Sequence, residues 1–370
     1  MIETGGIISH LIGYINITSL HRVLIDEYVK VVPGVYTSLR VCGISLGRNV
    51  IISQEVTEHT NSLNCMTVTS EGDRLLVGSQ DGNISLWDLK SLSRSSRLVN
   101  DPQGDLMCTS LCMIPSGQVA CGLYNPKSSF PDNLCLIKFW NLATMQCERT
   151  IHLSDAYVVM SLFMDRNDRL ISVNSGHAST ACSIQAWDIH TGLCLRTIIS
   201  VMDPWYAVTF LNEDIVIANG PKMKQIKLWE TSSGNCLVTL NTKYDFIASL
   251  CSLSGGRFAS GSSNSARSSA IEIWSPVEQS PTFVCERTFW AENGSVYSIL
   301  QLVDGRLASC YADGSIKVWT TKHEKGIETW NAKTVHVHTR SVFCFKLHPD
   351  PKCPRIISAG CDQTICLSAV

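Results

Sequence analysis

The side chains best suited to chemistry in this chain are histidines, aspartates and cysteines. His59 stands 22 residues before Asp81, and His338 stands 24 before Asp362. A His–Asp pair is a common vehicle for general acid–base catalysis. The two pairs fall at matching places in a repeated pattern, which favours a structural role over a catalytic one. Seventeen cysteines raise two further possibilities, metal binding and disulfides. Cys108 and Cys112 are four apart and Cys361 and Cys366 five apart, but paired Cys-x-x-Cys knuckles are missing, so no metal is expected. The cysteine count is odd and the N-terminus (Met1-Ile2-Glu3-Thr4) carries an acid and no basic cluster. A secreted disulfide scaffold is therefore not expected, although Ile7 to Ile17 is apolar. Cys147, Cys194, Cys236 and Cys285 occupy repeat-equivalent positions. Such positions on stacked sheets lie about 10 Å apart, beyond the roughly 7 Å Cα limit for a disulfide. Free thiols packing as small hydrophobes are expected. The chain has no Gly-x-Ser-x-Gly elbow, no phosphate-cradling glycine loop and no His-Glu-x-x-His. No enzyme activity, catalytic residue or cofactor is expected.

The elements that position these residues show in the tryptophans. Trp87, Trp140, Trp187, Trp229, Trp274 and Trp319 each follow an Ile by three residues, at spacings of 53, 47, 42, 45 and 45. Before each lies an apolar run ending in small residues, such as Leu75-Leu76-Val77-Gly78-Ser79 and Arg306-Leu307-Ala308-Ser309-Cys310; a seventh run is Arg355-Ile356-Ile357-Ser358-Ala359. After four of the tryptophans comes a third landmark, as in Cys147-Glu148-Arg149-Thr150-Ile151 and Cys194-Leu195-Arg196-Thr197-Ile198. Runs of this kind bounded by Gly, Asp, Asn and Ser read as strands joined by turns. Each unit holds four strands that cannot bury both faces alone, so units must stack, and a closed ring removes the open ends. The expected fold is all-β, a seven-bladed β-propeller of four-stranded antiparallel blades. The last unit lacks an outer strand, and Val50 to Val56 can supply it from the N-terminal side. Ser38 to Gly43 also aligns with the Trp segment, with Cys42 in the Trp position, which leaves eight blades as the alternative. The expected division is 1–37 as an extension or degenerate blade and 38–370 as the propeller.

The stretches Gly78-Ser79-Gln80-Asp81-Gly82-Asn83-Ile84-Ser85-Leu86-Trp87-Asp88 and Ala312-Asp313-Gly314-Ser315-Ile316-Lys317-Val318-Trp319 resemble WD-repeat β-propellers. The resemblance runs from about Ser38 to Val370. The Trp-Asp pair is intact at Trp87 and Trp187 and relaxed elsewhere, as in Trp140-Asn141. It implies a buried hydrogen-bond network of His, Asp, a hydroxyl and Trp. It assigns His59, Ser79, Asp81 and Trp87 to that network in the first unit, Asp313 and Trp319 in the sixth, and His338 and Asp362 in the last. There Ser368 replaces Trp, and Glu292 stands in the His position of the sixth unit. Leu134, Ala181, Met223 and Ser268 stand where Asp is expected in the other four.

Hydrophobic residues make up 45% and charged residues 17%, enough for a large core. Net charge is −2, so there is no global basic field for nucleic acid or anionic lipid. No apolar run reaches membrane-spanning length. Propellers bind on loops, because their strands are used in the blades. The loops between second and third strands are long in units two to five, and the resemblance places them beside the loops leading into the first strands. The expected protein- or peptide-binding face carries Tyr124, Phe130, Tyr157, Trp205, Tyr206, Lys222, Lys224, Tyr244, Arg267 and Trp290. The expected function is a non-enzymatic scaffold or adaptor binding other proteins, in the cytoplasm or nucleus. The alternatives are a substrate-recognition subunit of a ubiquitin-ligase or kinase complex and an RNA- or ribosome-associated assembly factor. The scattered Lys and Arg residues weigh against nucleic acid.

Overall fold

Apolar runs of five to ten residues cut by Gly, Asp and Ser turns leave the chain little choice but short antiparallel strands. A computed structural model describes residues 59–370 except 92, 100–104, 128–134, 155, 166, 177–181, 202–206, 213, 220–223, 245, 264–268, 279, 281, 292–293, 325–326 and 350–354. It also describes the strands Ser45–Leu46 and Asn49–Ser53. The described residues form 29 strands in seven sheets, with one short 3-10 turn at Ser254–Gly256 and no α-helix. Six sheets hold four strands in sequence order. In blade one these are Leu63–Val68, Arg74–Ser79, Ile84–Asp88 and Ser93–Leu98.

The seventh sheet is assembled from both ends of the described chain. Val342–Leu347, Arg355–Gly360 and Ile365–Ala369 supply three strands. Asn49–Ser53 pairs antiparallel with the last of them, Val50 opposite Leu367 and Ile51 opposite Cys366. Ser45–Leu46 adds a fifth strand outside it. The ring thus closes with seven blades, through the N-terminal strand expected from Val50 to Val56. The eight-blade alternative is corrected: blade one packs on blade seven, which leaves no gap for another. Ser38 to Gly43, with Cys42, lies outside the described residues.

Burial explains the sequence pattern of each blade. The second and third strands are covered on both faces, as Arg74–Ser79 and Ile84–Asp88 show, so they read as continuous apolar runs rather than alternating ones. The outer strands are mostly exposed, as in Cys236–Asn241. Seven apolar clusters each join two neighbouring blades. The one holding Leu75, Val77 and Trp87 of blade one with Ile357, Ile365 and Leu367 of blade seven seals the ring. In blade six the third and outer strands run on as a long hairpin, Ser315–Glu324 with Ile327–Val337, which the repeat pattern does not foretell.

The third landmark has a mechanical meaning. Each of its cysteines sits opposite the Trp of its blade at a register shift: Cys147 faces Trp140, Cys194 faces Trp187, Cys236 faces Trp229 and Cys285 faces Trp274. The arginine two residues on in blades two and three reaches the next blade. Arg149 donates to the carbonyls of Ile189, at 2.6 Å, and His190. Arg196 donates to those of Thr231, at 3.2 Å, and Ser232. Charge-assisted bonds of this kind satisfy turn carbonyls and hold neighbouring blades in register.

Proline cannot donate to a ladder and is poorly tolerated inside a paired strand. Val50→Pro, between Ser45 and Leu367, should cost about 2 kcal/mol and strip hydrogen-exchange protection from the Cys366 and Leu367 amides. Unchanged protection there would mean that another segment closes the ring.

Candidate interaction face

The polar network fixes the ends of the strands from which the face loops spring. In blade one it is complete. The Trp87 indole donates to Ser85 Oγ at 2.9 Å, Ser85 lies 2.9 Å from His59 Nε2, and His59 Nδ1 lies 2.9 and 3.1 Å from the Asp81 carboxylate. With the proton on Nδ1, the hydroxyl donates to Nε2 and every group has a partner. Burial alone would raise the Asp81 pKa. The hydrogen bond and charge of His59, with the Asn83 and Thr60 amides, outweigh it and hold the carboxyl below its ordinary value. The hydroxyl in this relay is Ser85 and not the expected Ser79. Ser79 Oγ donates instead to the carbonyls of Asn61 and Ser62, at 3.2 and 3.1 Å, and accepts from the Asp81 amide. The reason is the pleat: Ser85 is two residues before Trp87 on the same face of the same strand.

In blades three, five and six the hydroxyl comes from the second strand. Trp187 donates to Ser172 at 2.9 Å, Trp274 to Ser260 at 3.0 Å and Trp319 to Ser309 at 2.8 Å. In blade seven His338 Nε2 lies 2.8 Å from Ser358 Oγ, and its Nδ1 lies 3.1 and 3.2 Å from Asp362 and 2.9 Å from Thr364. Burial would raise the Asp362 pKa, but bonds from His338 and Thr364 hold it far below the carboxylate range. These serines close the Arg-apolar-apolar-Ser runs of blades three, five, six and seven. That recurrence is the signal that would have found them. In blade four Val216 pairs with Trp229, so Ala218 stands at the serine's place, and the buried Trp229 indole nitrogen has no partner. In blade six Asp313 caps its own turn by accepting from the amide and hydroxyl of Ser315, at 2.9 and 2.7 Å. Tyr311 takes the role of the histidine there, its hydroxyl 2.8 Å from Ser309. Glu292, Leu134, Ala181, Met223 and Ser268 lie outside the described residues, as do five expected face residues: Phe130, Trp205, Tyr206, Lys222 and Arg267.

The remaining face residues form two aromatic pairs and a cation. Tyr124 ends a second strand of blade two and Tyr157 leads into blade three; their rings stand 5.8 Å apart at 54°. In blade five Tyr244 and Trp290 meet edge to face at 6.1 Å and 70°. Trp290 lies opposite Ala270, just past the loop between the second and third strands, and is 65% exposed. Lys224 is exposed, and its carbonyl accepts from the Thr242 amide at 2.8 Å. Tyr244 is only 2% exposed. Its expected place as a surface anchor is corrected: Trp290 covers it, and it serves as the bed on which that indole rests.

Beneath this pair lies an acid that the sequence reading passed over. Glu272 occupies the position between Ile271 and Ile273 and is 3% exposed. Its carboxyl bonds Ser260, and one oxygen, like the Tyr244 hydroxyl, has no hydrogen-bond partner. Burial lifts the Glu272 pKa to about 7, against the pull of Lys243. Burial and the nearby Glu272 charge push Tyr244 up to about 12.

The family model for "WD domain, G-beta repeat" matches residues 52–88, 283–320 and 331–367. The second and third of these matches begin in the outer strand of one blade and end in or near the third strand of the next. The sequence repeat is therefore offset by one strand from the blade, the arrangement that lets an N-terminal strand close the ring. Protein tipD of Dictyostelium discoideum is 23% identical over 300 residues, covering 79% of this chain and 45% of that protein. The chain thus spans less than half the length of that relative.

Ser309→Ala leaves the buried Trp319 nitrogen unpaired and should cost about 1–3 kcal/mol in denaturant unfolding; a cost near zero would mean that water replaces the hydroxyl. Glu272 predicts a pH dependence. Its folded pKa lies above its ordinary value of 4.5, so its contribution is fully present below pH 4.5 and is lost as pH rises through about 7. Glu272→Gln should flatten the stability curve across that window, by at most about 3 kcal/mol, and an unchanged curve would place the acid in contact with solvent.

Proposed function

We propose that this WD40-repeat β-propeller is a non-enzymatic scaffold that holds a protein or peptide on the face formed by the loops between second and third strands. WD40 propellers in general serve as protein-interaction scaffolds, while a fold alone does not name a partner. Among the described residues no helix is long and apolar enough to cross a membrane. The observation that carries the proposal is Trp290, a large ring left 65% exposed and braced edge-on by buried Tyr244. A rigid, exposed indole loses little entropy on binding and offers much apolar area, which makes it an anchor. Tyr124 and Tyr157 offer a second aromatic surface on blades two and three, and Lys224 adds a positive charge on blade four. A partner that spans these blades would present apolar side chains with an acidic group. Four exposed thiols at the rim, Cys147, Cys194, Cys236 and Cys285, suit a reducing compartment and support an intracellular setting.

Trp290→Ala should weaken capture of the bound protein at least about tenfold, the loss of one anchoring residue at 1.4 kcal/mol or more. The melting temperature should change little, since the indole is exposed. Affinity capture from source cells with wild type and variant, read by mass spectrometry, checks this. Identical captures would remove this face as the docking surface, and capture of RNA alone would remove the scaffold reading.

A further inference from the structure

Blades one and seven both carry the His–Asp pair, yet they differ where the network ends. Blade one finishes on Ser85 and Trp87. At the matching places blade seven has Cys366 and Ser368. The indole is gone and a thiol stands where the hydroxyl was. A second imidazole is added by His336, on the outer strand of blade six two residues before His338; the two rings meet at 4.8 Å, nearly perpendicular. One ring nitrogen of each histidine and the Sγ of Cys366 lie within 4.8 Å of one another. His338 and Cys366 are buried and His336 is half-buried. Ser368 shares the face of Cys366 by the two-residue period of the strand. It is fully buried, and its hydroxyl has no hydrogen-bond partner.

We propose that His336, His338 and Cys366 form a zinc site at the seam between blades six and seven. Two imidazoles and a thiolate are a ligand set that suits Zn2+, with a fourth position left for water. Tetrahedral bonds of about 2.0–2.3 Å set ligand atoms about 3.3–3.6 Å apart, so the group needs to draw in by only about 1 Å. The second shell is present. Asp362 and Thr364 hold Nδ1 of His338, which fixes the ring and turns Nε2 toward the metal, as carboxylate–histidine–zinc triads require. Binding moves Nε2 from Ser358 to zinc and releases the Cys366 thiol proton to solvent as the sulfur–zinc bond forms. The freed Ser358 hydroxyl and the orphaned Ser368 hydroxyl can then bond the metal-bound water. The ligands come from both sides of the seam, so the ion would tie the outer strand of blade six to the blade closed by the N-terminal strand.

The test uses the full chain, stripped with a chelator and titrated with Co2+ and then Zn2+ under reducing conditions. One equivalent of Co2+ should give a thiolate charge-transfer band that one equivalent of Zn2+ abolishes, and Zn2+ should raise the melting temperature. Cys366→Ala should lose the band, and His336→Ala should lower zinc affinity at least about tenfold. Because His336 is half-buried and lies outside the His338–Asp362 pair, its variant should fold even if Cys366→Ala does not. Cys361→Ala should behave as wild type. A band that survives both Cys366→Ala and His336→Ala, a stoichiometry set by the exposed rim thiols, or a site that takes Cu+ and refuses Zn2+ would each overturn the assignment.

Discussion

Everything in this molecule depends on the inability of one four-stranded sheet to cover its own faces. The second and third strands of each blade carry apolar side chains on both sides, and only two neighbouring blades can cover them. An open row of such sheets would leave two apolar faces in water. The cluster joining Leu75 and Trp87 to Ile357 and Leu367 removes both at once. Closing that contact also ties Asn49–Ser53 to Ile365–Ala369, so the ring is sealed by side-chain packing and by a backbone ladder together. Local exposure can then vary around the rim without loss of the whole.

Within that frame the blades solve one problem in different ways. The Trp nitrogen is buried in the seam and needs an acceptor. A hydroxyl provides it, from Ser85 or from the second-strand serines. That hydroxyl needs a further partner, and the space for it is shared between residues. Gly360 follows Ser358 by two, and a Cβ there would stand 2.8 Å from His338 Nδ1 and 2.6 Å from Asp362. In blades six and three, which lack the histidine, a larger residue takes the corresponding position. Tyr311 follows Ser309 by two and meets it directly, and Asn174 follows Ser172 by two and donates to it at 3.0 Å. A hollow at the top of the blade is filled by histidine from the incoming loop or by a side chain from the second strand.

The fold was legible because its signal is periodic: six Ile-x-x-Trp segments and seven apolar runs specify seven sheets whatever the residues between them do. The closing strand was legible because the last unit is short by one. The site was legible only where the network is local. His59, Asp81 and Trp87 follow from the resemblance to WD-repeat propellers, but the hydroxyl between them did not, since Ser79 and Ser85 both lie nearby and only the pleat decides. Tyr244 and Trp290 look alike in sequence, each an aromatic near a loop. Their exposures, 2% and 65%, are set by which ring lies on top. Glu272 was hidden because Lys138, Lys227 and Lys317 hold the corresponding place in other blades, where a charged group suggests a solvent-facing position.

The aspartate-capped turn and the long loops exclude each other. Asp81-Gly82, Asp313-Gly314 and Asp362-Gln363 each turn the chain through the left-handed region, at φ of 78°, 89° and 62° for the second residue. The carboxylate caps that turn, and a turn capped in this way is short. Blades two to five have Leu134, Ala181, Met223 and Ser268 in place of the aspartate and insert several residues there instead. They give up the capped turn, and blade four also leaves its Trp229 nitrogen unpaired. The outer-strand arginines act on this side of the ring: Arg149 and Arg196 fasten blade two to three and three to four. Support thus moves from the loop end of the sheet to its outer edge. The loop end is thereby released from its structural duty, and in blade five the exposed indole of Trp290 stands at that end.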